Sequence, residues 1–131
     1  MSYDISLVDP VPRETLTMDA PHQMRGGTYA IGGTDEMWVN ITYNYARWYY
    51  KDYAFGENGI RSIYGLSGAE SIPVLKKAIA GLEDSGEELP YEEAKQCFEQ
   101  GATGYWLPTR TNAIRPLYQL LALAQMRPDG V

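Results

Sequence analysis

Cys97 and His22 are the only cysteine and the only histidine in this 131-residue sequence. Nucleophilic catalysis by a thiol requires a base within hydrogen-bond reach. Cys97, however, falls on the apolar side of an expected helix with Tyr91, Ala94, Phe98 and Gly101, where a buried structural thiol is the simpler reading. His22, in DAPHQM, reads as a loop or capping residue. One cysteine and one histidine do not complete a zinc site. The acids also lack the Asp-x-Asp-x-Asp-Gly spacing of a calcium loop. Two carboxylates for glycoside chemistry need only meet in space, but nothing in the spacing selects a pair. The expectation is a protein without catalytic residues, cofactor or metal.

The richer candidate is TYNYARWYYKDYAF, residues 42–55, with five of the chain's eleven tyrosines. Tyrosine joins a broad apolar face to a hydroxyl, which suits binding surfaces at low entropic cost. If one helix runs over 35–54, then Glu36, Asn40, Asn44, Arg47 and Lys51 make a polar stripe. Trp38, Ile41, Tyr45, Trp48 and Tyr49 face the core on the other side. Tyr43 and Tyr50 lie beside the stripe. With Asn40, Asn44, Arg47 and Lys51 they could stack on a nucleotide and meet its phosphate. Thr34 as cap and the acids Asp35 and Glu36 at the positive end of the dipole favour this helix. The rival reading is a strand with Met37, Val39, Ile41, Tyr43 and Tyr45 on one face, followed by a shorter helix. β-Branched Val39, Ile41 and Thr42 support it, and it would bury Tyr43 and Tyr50.

Charge points elsewhere. The net charge is −6. Residues 83–100 carry Glu83, Asp84, Glu87, Glu88, Glu92, Glu93 and Glu99 against Lys95 alone, and the rest of the chain is balanced. Such a patch repels nucleic acid and favours a partner with a basic surface. Glu87, Glu88, Glu92 and Glu93 are the expected partner-binding residues. No stretch is apolar enough for a membrane span, and the N-terminus lacks the pattern of a signal peptide.

These residues must be positioned by a chain that reads as one α+β domain over 1–131. A small N-terminal antiparallel sheet is expected to pack against three or four helices. Residues 3–9 alternate as a strand, and 14–18 read as a second strand in a hairpin with the first. Gly26-Gly27-Thr28 and Gly32-Gly33-Thr34 suggest turns around a strand at 28–31. Ile72, Leu75, Ile79 and Leu82 form one helical stripe. Ser67 to Glu70 has capping-box spacing, but Pro73 moves the expected start to Ser71. Pro90 opens a further helix. A last one starts at Asn112 or Pro116 and carries Ile114, Leu117, Leu120, Leu121, Leu123 and Ala124.

With NITYNY, GIRSIYGLSGAESIPVLKKAI and LLALAQMRPDGV, the chain resembles a group of small uncharacterised proteins of phages and prophages. The resemblance implies a phage-encoded accessory protein in the bacterial cytoplasm and supplies no site residues. The function expected is non-enzymatic inhibition of a host factor, such as a defence system, by protein–protein contact. The alternative is sequestration of a nucleotide signal.

Overall fold

The segment 35–54 is not one helix. The computed structural model describes residues 2–22, 34–101 and 107–131, and here the rival order of strand then short helix holds, but the strand ends at Thr42, so Tyr43 and Tyr45 are not on it. Strands β3 (Thr34–Glu36) and β4 (Trp38–Thr42) lead into a 3-10 turn, Tyr43–Tyr45, and the single-turn helix α1 (Ala46–Tyr49). The helical part is capped by Thr42, whose hydroxyl accepts from the Asn44 N–H at 3.3 Å. The polar stripe misled because β4 is covered on both faces: Val39, Asn40, Ile41 and Thr42 are all buried. A strand in that setting shows no alternation.

The architecture is α+β. β4 pairs antiparallel with β1 (Ser2–Ser6), with Tyr3 opposite Ile41 and Ile5 opposite Val39. β3 pairs antiparallel with β2 (Thr17–His22), in an irregular register. The two pairings meet at a three-way backbone junction. The Leu7 N–H donates to Met37 O at 2.9 Å, Met37 N–H to Leu16 O at 2.7 Å, and Leu16 N–H to Leu7 O at 2.8 Å. The expected 3–9/14–18 hairpin is therefore reduced to a turn closed by the Val8–Thr15 bridge, while the strands proper pair with 34–42. The glycine-flanked strand expected at 28–31 lies outside the described residues.

Helices α2 (Gly68–Asp84) and α4 (Arg110–Met126) form the principal helix pair. Leu75, Ala78, Ile79 and Leu82 join Ala113, Leu117, Leu120 and Leu123 in one core. Both helices start earlier than their prolines suggested. Ser67 and Glu70 complete a capping box, so α2 begins at Gly68 and Ser71 lies inside it. Thr109 caps α4 through the Asn112 N–H, so this helix begins at Arg110. Pro73 and Pro116 are each accommodated in the second turn, where burial of the apolar faces outweighs one missing hydrogen bond. The α2 N-terminus has a second tie. Gly68 N–H donates to Gly130 O at 2.6 Å and Ala69 N–H to Pro128 O at 3.0 Å. The chain's last residues thus satisfy donors that a helix start leaves open. A Cβ on Gly68 would lie 2.6 Å from Arg127 O, so this approach requires glycine.

Replacing Ser67 by alanine removes the cap, with an expected loss of about 1 kcal/mol of stability. Chemical denaturation measures it. The Ser67 N–H holds the Glu70 carboxyl below its ordinary pKa. That half of the box is therefore present above the ordinary carboxylate value and is lost as pH falls through the depressed one.

Tyr45, Trp48 and Tyr49 are buried as the sequence suggested. Their polar ends are satisfied in part by the segment before α4 and its first turn: Trp48 Nε1 donates to Pro108 O at 2.9 Å, and the Tyr49 hydroxyl to Ala113 O at 2.8 Å. Tyr49 also meets Tyr45 and Phe55 edge to face, at centroid distances of 6.5 and 5.8 Å. This aromatic wedge is core and not platform.

Candidate functional site

Helix α3 (Tyr91–Glu99) grows from the acidic segment, with Pro90 at its N-cap and Glu92 and Glu93 in its first turn. Acids there suit the helix dipole. The helix buries no residue at all. Tyr91 is 76% exposed and Phe98 63% exposed, and Ala94 and Cys97 are half-buried. This corrects the expectation that Tyr91, Ala94, Cys97 and Phe98 form a packed face with a buried thiol. The periodicity was real, but among the described residues that face has no apolar layer to cover it.

Ion pairs tie α3 and the loop before it to the rest of the domain. Arg47 on α1 pairs with Glu93, Lys51 with Glu87 at 3.3 Å, and Arg110 with Glu88 at 3.2 Å. The Arg110 guanidinium also donates to Leu82 O and Glu83 O at 2.7 and 2.9 Å, closing the C-terminal end of α2. Leu89 adds a partly buried apolar contact. Exposed ion pairs of this kind contribute little individually. The two residue sets expected to serve different ligands therefore meet each other. Glu87, Glu88 and Glu93 are spoken for by cations of the same chain. Glu92 makes no ion pair among the described residues and lies with Glu93, Lys95, Gln96 and Glu99 along an open groove.

The six residues expected to hold a nucleotide are divided. Asn40 is buried in β4, with its amide donating to Asp4 Oδ1 at 2.6 Å, so it is removed from solvent. Arg47 and Lys51 turn to the acids. Tyr43, Asn44 and Arg47 do share a groove, together with Cys97, Gln100 and Pro108. Tyr50 is 44% exposed and Tyr43 only half-buried, so the expectation that the strand reading would bury both fails.

Tyr43 and Tyr50 also lie near Arg61, on the 3-10 segment Gly56–Ile63, which is kinked at Gly59. The Tyr3 and Tyr43 rings lie 4.5 Å apart between centroids, and the Arg61 guanidinium stands 5.7 Å from the centroid of Tyr3. The Tyr43 and Tyr64 phenols lie within electrostatic reach of Arg61. Burial pushes the Tyr3 and Tyr64 hydroxyls above the ordinary phenol range, so both keep their protons at neutral pH. Sequence reading missed Arg61 and Tyr64 because IRSIYG carries no periodic signal; its only cue was one arginine between two apolar residues and a tyrosine.

A cavity of about 310 Å³ lies between β1, residues 63–66 and α4. Ile5, Leu7, Met37, Leu66 and Leu120 line it, together with Asp4 and Arg13. Among the described residues no group of His, Cys, Asp and Glu is arranged to hold a metal ion. No helix described is long and apolar enough to cross a membrane. No family model matches this chain, and neither a curated protein nor a solved structure is returned as similar to it.

Proposed function

We propose that this chain is a non-enzymatic binding protein that inhibits a host factor by protein–protein contact, with α3 as its recognition element. The observation that carries the reading is a helix that buries none of its residues yet holds Tyr91 and Phe98 in the open, among Glu92, Glu93 and Glu99. Exposed aromatics ringed by charge are the composition of an interface, whose energy concentrates in a few large anchors. The partner that fits has an apolar cleft for the two rings and a basic rim for the acids. The resemblance to phage and prophage proteins supports a setting in the bacterial cytoplasm and a host target such as a defence system.

The electrostatic half of the proposal has its own test. With a partner captured from bacterial lysate and purified, Glu92→Lys is expected to weaken binding about tenfold at low salt, mainly by slowing association. The difference should shrink as salt rises. The matched reversal Glu87→Lys should do less, because Lys51 already shares that charge. Association rates that ignore both Glu92→Lys and salt contradict a basic partner.

A further inference from the structure

The tyrosines around Arg61 form a second surface, unrelated to α3. Its geometry depends on Gly59, whose φ of 59° and ψ of −150° fall where essentially only glycine is found. A Cβ there would sit 3.1 Å from the Tyr50 ring, so the missing side chain lets that ring lie against the 3-10 helix that bears Arg61. Tyr50 and Tyr64 keep 44% and 47% of their surface exposed, whereas Tyr3 is buried beneath the guanidinium.

The charge of Arg61 is oriented but not neutralised. Arg47, Lys51, Arg110 and Arg127 each pair with a carboxylate. Among the described residues Arg61 pairs with none, and it stands over the Tyr3 ring. Asp4, within electrostatic reach of Tyr64, accepts the Asn40 amide. A phenol hydroxyl beside a guanidinium can turn its hydrogen outward to donate. The outward groups are therefore a guanidinium and phenols beside the half-exposed Tyr50 and Tyr64 rings. Donors of this kind fit an anionic acceptor, and the ring faces fit a planar group attached to it.

We propose that Arg61, Tyr43, Tyr50 and Tyr64 form a binding site for a planar anion of the nucleoside monophosphate class. The base stacks on Tyr50 or Tyr64, and the phosphate meets Arg61 and the phenol hydroxyls. The site does not use Arg47 or Lys51.

The test is titration of the whole chain with AMP, adenosine and inorganic phosphate, followed by two-dimensional NMR and calorimetry. AMP is expected to shift the signals of Arg61, Tyr50 and Tyr64, and to bind at least about tenfold more tightly than adenosine or phosphate. Arg61→Gln should weaken AMP about tenfold or more. Tyr64→Phe, which keeps the ring and removes one donor, should weaken it less. Circular dichroism verifies that both variants are folded. Absence of AMP binding at millimolar concentration overturns the proposal. So does unchanged affinity in Arg61→Gln, or phosphate alone binding as well as AMP. Tyr91→Ser/Phe98→Ser should leave AMP binding intact, so this site and the α3 reading fail separately.

Discussion

Gly81→Ala is expected to lower the melting temperature by roughly 10 °C, although alanine is the better helix former. Gly81 lies in α2, facing the turn that follows α1. A Cβ there would overlap the Tyr53 carbonyl oxygen and press on the carbonyl carbon behind it. Both obstacles are backbone, so no side chain can swing aside. Helix propensity favours alanine by about 1 kcal/mol, but forcing apart two packed backbones costs about 3 kcal/mol or more. The steric term wins. The separation would also be felt at the aromatic wedge, because Tyr49 and Tyr53 lie on either side of the same turn. Thermal unfolding followed by circular dichroism measures it. A variant as stable as the parent would mean that α2 and residues 50–55 do not touch.

What the sequence revealed depended on how many faces each element buries. α2 and α4 each bury one stripe, so Leu75, Ile79, Leu82, Leu117, Leu120 and Leu123 were legible as core. β4 buries both faces, so its period was hidden, and chance polar positions at helical spacing prevailed. The helix starts were misplaced for another reason. Pro73 and Pro116 looked like boundaries, yet the capping groups Ser67 and Thr109 lie six and seven residues upstream and decide the start. Tyr49 is core under either reading, whereas the burial of Trp48 follows only from the helical one.

The candidate sites were less legible, because charges and rings find partners only in three dimensions. The acidic segment and the Arg47–Lys51 stripe were read as two ligand surfaces, and folding brings them together as ion pairs. Tyr43 and Tyr50 are expected beside Arg47; Tyr43 does share a groove with it, but both tyrosines also lie near Arg61, fourteen positions further on. α3 was read as packed because its apolar residues recur at helical spacing. Periodicity reports which residues share a face and says nothing about what lies opposite it.

That exposed face of α3 carries the second large effect. Tyr91→Ser/Phe98→Ser together should leave the fold as stable as the parent within about 0.5 kcal/mol, since surface changes of this kind touch no packed group. Partner binding should suffer far more. Two aromatic anchors at the centre of an interface typically account for 2 kcal/mol or more each. Their removal is therefore expected to weaken binding at least about 100-fold. Acidic residues around the rings steer the encounter, whereas the rings set how long the complex lasts.

The direct measurement is calorimetric titration of the purified partner, captured from bacterial lysate, against the parent chain and the Tyr91→Ser/Phe98→Ser variant, with melting temperatures recorded for both. The account predicts equal melting temperatures and an affinity lowered at least about 100-fold in the variant. Equal affinity for the two chains would contradict it, and α3 would then not be the surface through which this protein binds.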